Sequence, residues 1–207
     1  MSQSSRIFAV IPAAGLSRRM GRPKLLLTIG GRTVISRLLQ ILEAAGVTAT
    51  VVVGRRDDAD LWREVERTSA LMVRPDVDPP DMRVSVEQAL ATIRQQWEPK
   101  PDDAWLLVPA DHPLLEADVV AELLAHWWAS EAEILIPTYQ GQRGHPTLLR
   151  WSLAAEVSGI PPDLGLNWLV RSQPARVIEI EVASDSVVTD LDTPEDFERL
   201  TDSAGPT

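Results

Sequence analysis

Cysteine is absent from all 207 residues, and that gap removes disulfides, thiolate metal sites and cysteine nucleophiles together. No apolar run approaches the ~20 residues that a membrane-spanning helix needs, because charge interrupts the longest stretches. The N-terminus, Met1 to Arg6, has no basic region leading into an apolar stretch. No secretory signal is read, and the cytoplasm is the expected location. A basic excess is lacking as well. The formal charge of −10 has the wrong sign for a nucleic-acid partner, whose phosphates require a basic face. Two familiar glycine loops also fail to occur. Gly21 is followed by Arg22 and Pro23, not by the Lys-Ser/Thr of a Walker loop, and Gly15 by Leu16 and Ser17, not by the spaced glycines of the dinucleotide fingerprint.

What is present, 44% hydrophobic and 24% charged residues, suits a soluble globular chain. The expectation is one domain over 1–207 with a disordered tail from about 202 to 207. The near-continuous apolar run Ile7 to Ile11 (IFAVI) predicts a parallel strand covered on both faces. A helix from about Val34 to Ala45 follows, capped by Thr33 and ended by Gly46. Val47 to Val53 predicts a second strand, Asp58 to Thr68 a helix and Leu71 to Arg74 a short strand. Pro75 to Met82, with three prolines and three aspartates, can continue neither element. Ser85 reads as the cap of the next helix, with Gln88 completing a capping box and the end near Trp97. Trp105 to Val108 predicts a buried strand and Glu116 to Ala129 a helix, in which His126 and the tryptophans are packing groups. This alternation predicts a Rossmann-like three-layer α/β domain on a mainly parallel sheet. An antiparallel excursion is expected after about Ala132, and Val177 to Val182 (VIEIEV) reads as a strand with one face in water.

The segment Ala13 to Leu27 (AAGLSRRMGRPKLLL) leaves the first strand at the carboxyl edge of the sheet, where open α/β folds bind ligands. Ala13, Ala14 and Gly15 remove side-chain bulk, so backbone N–H groups can approach a phosphate or a base edge. Arg18, Arg19, Arg22 and Lys24 lie within seven residues with no acid among them. On charge alone this is a solvated run; joined to the glycine turn it reads as a cradle for a small phosphorylated ligand.

Asp111 follows the strand Trp105 to Val108 and so shares that sheet edge, with Pro113 fixing the turn after it. Phosphoryl-group transfer requires no protein nucleophile, but it does require a divalent cation, commonly held by one or two carboxylates. In Asp190 to Asp196 (DLDTPED), Thr193, Pro194 and Asp196 form a helix start. That helix start leaves Asp190 and Asp192 unexplained.

Four segments in order, AAGLSRRMGRPKLLL, PADHPLL (Pro109 to Leu115), GHP (Gly144 to Pro146) and DLDTPED, span nearly the whole chain. Together they resemble the MobA-like NTP transferase family, and more narrowly its molybdenum cofactor cytidylyltransferases. Met82 to Ser85 (MRVS) is a weaker match. The resemblance implies a fold of the nucleotide-diphospho-sugar transferase type, Mg2+, and transfer of NMP from an NTP to a phosphorylated small molecule with release of pyrophosphate. CTP and molybdopterin are the particular pair it implies. Lys24, Arg19 and Asp111 become catalytic in this reading. Ala13, Ala14, Gly15, Ser17, Arg18 and Ser85 join Arg19 and Lys24 in holding the nucleotide. Asp111 and Asp192 become metal ligands, with Asp190 on the opposite face, and His112, Gly144, His145 and Pro146 form the acceptor side. Asp163 to Asn167 (DLGLN) resembles a further family segment but carries Asn167 where the family has arginine. Ile11 to Gly15 (IPAAG) also resembles sugar-phosphate and methylerythritol-phosphate nucleotidyltransferases. Guanylyl transfer to molybdopterin and transfer to a sugar or alditol phosphate therefore stay open. From another class, so does a non-catalytic nucleotide-binding partner of a molybdoenzyme. A molybdoenzyme or its chaperone is the implied protein partner.

Overall fold

The structure, a computed structural model, describes residues 5–161 and 163–203. Strand β1 (Ile7–Pro12) sends Ile7, Ala9 and Ile11 into one core and Phe8 and Val10 into another. Both faces are covered, which is why the stretch reads as unbroken apolar sequence. After the basic loop comes a hairpin, β2 (Thr28–Ile29) and β3 (Arg32–Thr33). Its turn residues Gly30 and Gly31 have φ of 59° and 78°, as a tight hairpin turn demands. Strands of two residues carry no readable alternation. Helix α1 (Val34–Ala44) is capped as expected, Ser36 N–H donating to Thr33 Oγ1 at 3.3 Å. Next come β4 (Ala49–Val53), α2 (Ala59–Val65) with Asp58 as its cap, and β5 (Leu71–Val73).

Helix α3 (Met82–Trp97) corrects the sequence reading. Its cap is Asp81, whose carboxylate accepts from Val84 N–H at 2.9 Å. Ser85 lies inside the helix, its hydroxyl donating to the Asp81 carbonyl at 3.3 Å. The helix begins as soon as Pro79 and Pro80 are passed, and the aspartate there caps as well as a serine. Strand β6 (Ala104–Leu107) and α4 (Ala117–Trp128) follow. The inward stripe of α4 is Val119, Val120, Leu123, Leu124 and Trp127. His126 and Trp128 are exposed, so neither is the packing group expected. Then come β7 (Ile134–Tyr139), β8 (Gln142–Arg143), β9 (Thr147–Arg150), a 3-10 stretch at Trp151–Gly159, α5 (Asn167–Arg171), β10 (Val177–Glu181) and α6 (Pro194–Ser203). Residues 202 and 203 of the expected tail thus belong to a helix, and 204–207 lie outside the described residues.

The sheet order is β10-β7-β9-β6-β1-β4-β5, with β8 paired to β7. Strand β9 runs against β6 and β7, and the other pairings along that order are parallel. Helices α1, α2, α4 and α6 cover one face, while α3, α5 and the 3-10 stretch cover the other. These are the three layers expected. Reversal of β9 sets Thr147 opposite Leu107, so the residues entering β9 lie beside those leaving β6.

At the opposite pole Arg6 and Asp103 join the starts of β1 and β6. The Asp103 carboxylate accepts from Arg6 N, Nε and Nη2 at 2.8, 3.1 and 2.7 Å, and from Lys100 N at 2.8 Å. Burial alone would raise the pKa of Asp103, but the Arg6 and Lys100 hydrogen bonds and the Arg6 charge outweigh it and hold it below the usual range. A depressed carboxylate stabilises above its unfolded pKa, and that contribution fades as pH falls through the folded value. Asp103→Asn is therefore expected to lose about 2 kcal/mol at pH 7. The gap between the two proteins in urea titrations should begin to close near about pH 4 and vanish only below the depressed folded value.

Candidate active site

The small-residue loop, Lys24 and Asp111 meet at the carboxyl ends of β1 and β6. A cleft of about 420 Å³ opens there, walled by Pro12–Leu16, Arg18 and Lys24 on one side and by Pro79–Met82 and Ser85 on the other, with Pro109–Asp111 also on its lining. His112, Gly144, His145 and Pro146 stand outside that lining. The basic loop keeps its shape through Ser17. That residue is left-handed (φ 49°), its carbonyl accepts from Gly21 N–H at 3.1 Å and its hydroxyl accepts from Lys24 N–H at 3.2 Å. Buried Met20 fastens the middle of the loop to the core.

Lys24 Nζ donates to Asp111 Oδ2 at 2.8 Å and to Asp192 Oδ1 at 2.9 Å, while Arg19 Nη2 reaches Asp192 Oδ2 at 2.7 Å. Two carboxylates far apart in the chain thus converge on one cationic point. The fold achieves this with the main chain: Leu191, fully buried, donates its N–H to the Asp111 carbonyl at 2.9 Å. Asp192 is held from the other side, where the Asp196 carboxylate accepts from Asp192 N and Thr193 N at 3.1 and 2.9 Å, and Asp196 N–H donates to Thr193 Oγ1 at 3.2 Å. Asp190, next to the same leucine, is exposed.

Burial opposes the charge on Lys24, but the Asp111 charge and the hydrogen bonds to Asp111 and Asp192 prevail and raise its pKa above the ordinary lysine value. For Asp111 burial pushes the pKa up, and the charge and hydrogen bond of Lys24 pull it down further, leaving it lowered.

His112 and His145 lie side by side with ring centroids 5.3 Å apart and planes inclined by 52°, a consequence of the β9 reversal. His145 is pushed down to about 4, first by burial and then by the neighbouring His112, so near neutral pH it is an uncharged imidazole. Its Nδ1 is buried with no hydrogen-bond partner among the described residues. Gly144 N–H donates to the Pro137 carbonyl and His145 N–H to the Val187 carbonyl, both at 2.8 Å.

Of the sequence-derived nucleotide set, Ala13, Ala14, Gly15, Arg18, Lys24 and Ser85 line the cleft. Arg19 reaches Asp192 instead. Ser17 faces a second hollow behind the loop, shared with Arg22 and Arg55. Asp81 also lines the cleft but figures in the sequence reading only as part of a proline-rich loop, and Met82 enters as a site residue only through the weaker MRVS match. The signal available was a capping aspartate directly after two prolines.

The two carboxylates fit a divalent cation, since magnesium and its relatives take oxygen donors, commonly one or two carboxylates plus phosphates and water. Among the described residues no group of three or more histidines, aspartates and glutamates forms a fuller cage. Because Lys24 holds the point where the carboxylates converge, Lys24→Met is expected to bind Mg2+ alone at least about tenfold more tightly than wild type. A unit charge in close contact is worth about 4 kcal/mol even at an effective dielectric constant of 20. Titration calorimetry without nucleotide measures this, and unchanged affinity would remove the carboxylates from the metal's coordination.

A doubly covered α/β sheet with a small-residue loop, paired cations and paired carboxylates at its carboxyl edge defines a nucleotidyltransferase. Residues 9–177 match the model of the MobA-like NTP transferase domain, and the chain belongs to that family. Nucleotidyltransferases of the family generally use a divalent metal and bind an NTP with a phosphorylated acceptor. Among curated relatives, the molybdenum cofactor cytidylyltransferase of Escherichia coli (strain K12) is 23% identical over 193 residues, 93% of this chain and 94% of that protein. The molybdenum cofactor guanylyltransferase of Rhizobium meliloti (strain 1021) is 32% identical over 147 residues, 70% of this chain and 63% of that protein. The bifunctional protein GlmU of Mycobacterium sp. (strain KMS) is 27% identical over 154 residues, 72% of this chain, and the match spans only 30% of that longer protein. Among solved structures, the Rv0371c homologue from Mycobacterium sp. strain JC1 superimposes with a TM-score of 0.80 at 28% identity, covering 98% of both chains. A manganese complex of Rv0371c from Mycobacterium tuberculosis H37Rv gives 0.77 at 24% identity, covering 97% of this chain and 100% of that one. No helix among the described residues is long and apolar enough to cross a membrane.

Proposed function

We propose that the chain, acting as one domain, transfers CMP from CTP to the phosphate of molybdopterin with release of pyrophosphate, using Mg2+. The observation that carries the reading is the convergence of Asp111 and Asp192 on Lys24 at the rim of the cleft. The acceptor's phosphate oxygen forms a bond to the α-phosphorus as the bond to the β-phosphate oxygen breaks. Catalysis is chiefly positioning and neutralisation of charge. Arg18, Arg19 and Lys24 meet the triphosphate, and the side-chain-poor run Ala13–Gly15 lets its main chain approach. Bound magnesium, held by Asp111 and Asp192, supplies neutralising charge to the phosphates. His145, uncharged and packed against His112, orients the acceptor.

For the base, the Asp81 carboxylate stands on one wall of the cleft with acceptor capacity beyond its cap bond to Val84 N–H. It suits the exocyclic amine of cytosine, whereas the uracil carbonyl is repelled. The nearly full-length match to the Escherichia coli cytidylyltransferase also supports CTP. The guanylyltransferase match at 32% identity supports a second reading, GTP with the same acceptor. In either case the finished cofactor passes to a molybdoenzyme or its chaperone. Thermal shift with CTP, GTP, ATP and UTP, each with and without magnesium, tests the proposal. A ligand at about a hundred times its Kd stabilises by roughly 2.7 kcal/mol. Magnesium-dependent stabilisation greatest with CTP supports it, a GTP preference moves it to the second reading, and no response to any overturns it.

A further inference from the structure

The basic loop touches the start of α6 at two points of different chemical kind. The ionic one joins Arg19 and Lys24 to Asp192. The other is Arg22, whose guanidinium carbon lies 4.8 Å from the centroid of the Phe197 ring, within cation–π range. Phe197 is half-buried, packed against the same core as buried Leu191 and Leu200, so its ring is a fixed platform. Arg22 lines the hollow behind the loop and not the nucleotide cleft, which takes Arg18 and Lys24.

We infer that Phe197 is a positioning residue for nucleotide binding, holding the loop in register through Arg22 while the loop's ionic ties are exchanged. The inference rests on the reading that a nucleoside triphosphate with its metal enters the cleft. Phosphates compete with Asp192 for Arg19 and Lys24, and a metal competes for Asp192 itself. Both ionic ties of the loop to the Asp192 segment are therefore open to loss when ligand arrives. The Phe197 ring carries no charge and no metal-ligating atom, and Arg22 is outside the cleft. Their contact is indifferent to the exchange, so it can locate the loop before and after it. Asp192 and Phe197 stand on either side of the Thr193–Asp196 cap, and one helix start thus sets both the ionic partner and the platform.

The test compares wild type with Phe197→Leu, Phe197→Tyr, Arg22→Gln and the Phe197→Leu/Arg22→Gln double variant. Hydrogen exchange of the amides of residues 20–25 is followed without ligand, and CTP affinity is measured by calorimetry with magnesium. Expected in Phe197→Leu are faster loop exchange and CTP binding weakened about two- to fivefold, the range for an exposed cation–π contact. Tyrosine should restore both, and Arg22→Gln, a surface change that leaves α6 alone, should reproduce the loss. The double variant should be no worse than either single one. Unchanged loop exchange in Phe197→Leu, tyrosine no better than leucine, or additive losses in the double variant would each overturn the inference. Failure of wild type to bind CTP would strike the nucleotide reading instead, while the ligand-free exchange data would still decide the role of Phe197.

Discussion

Asp111→Ala is expected to lower nucleotidyl transfer by at least about a thousandfold while the protein still folds. The size follows from what that carboxylate does. Removing one preorganised charge-stabilising group costs about 10²–10³ in rate, and in the proposed mechanism the same side chain also serves as a metal donor and a partner of the lysine that meets the triphosphate. The fold should survive because the position of the segment is set by the Asp111 carbonyl, which holds Leu191 N–H, and not by the carboxylate. Lys24 keeps Asp192 as a partner, and a repulsion between two neighbouring acids is relieved. Pyrophosphate release with CTP and acceptor measures the first effect and the thermal midpoint the second. Wild-type turnover in this variant would defeat the assignment; a collapsed midpoint would mean that the carboxylate is structural.

The second large effect is expected at Gly144. A Cβ built there would meet the carbonyl oxygen of Val187 and come within 2.7 Å of its carbonyl carbon. The obstacle is backbone, and neither side can withdraw cheaply. Gly144 N–H is bonded to Pro137 O and His145 N–H to Val187 O, so the loop is pinned from both directions. Gly144→Ala should cost about 3 kcal/mol, near the upper end for overpacking, or roughly 6–12 °C in a domain of this size. It should also shift His145 and so impair the acceptor side. Gly159→Ala is the control, since nothing lies within 4 Å of a Cβ there and its backbone is not left-handed. It should melt within about 2 °C of wild type. Equal melting of the two variants would remove the steric argument.

What the sequence disclosed was local. Ile7–Ile11 is apolar on both faces because β1 is covered on both, and Thr193, Pro194 and Asp196 build the helix start their order predicts. The Ser85 misreading shows the limit of such patterns: serine and Gln88 have the right spacing, but an earlier aspartate took the cap once the prolines ended. His126 and Trp128 sit in a helix whose buried stripe passes them by. The hairpin at Thr28–Thr33 is too short to show a period. The meeting of Asp111 with Asp192 could be anticipated by family likeness alone, since it depends on one tertiary hydrogen bond from Leu191. The platform under Arg22 left no mark, because a phenylalanine on a helix reads as core.

The reversed strand β9 has an evolutionary reading. It divides the sheet so that the loop and helix of the proposed NTP side belong to β1 and α3, whereas His145, proposed to orient the acceptor, arrives on the β8–β9 connection. A lineage could therefore rewrite the chain from β7 to β10 to accept a different phosphate ester while Asp192 and the rest of the proposed donor machinery stay in place. Exchange of that β7–β10 portion between relatives, with the Leu191 staple retained, would then be a unit of diversification in such a fold.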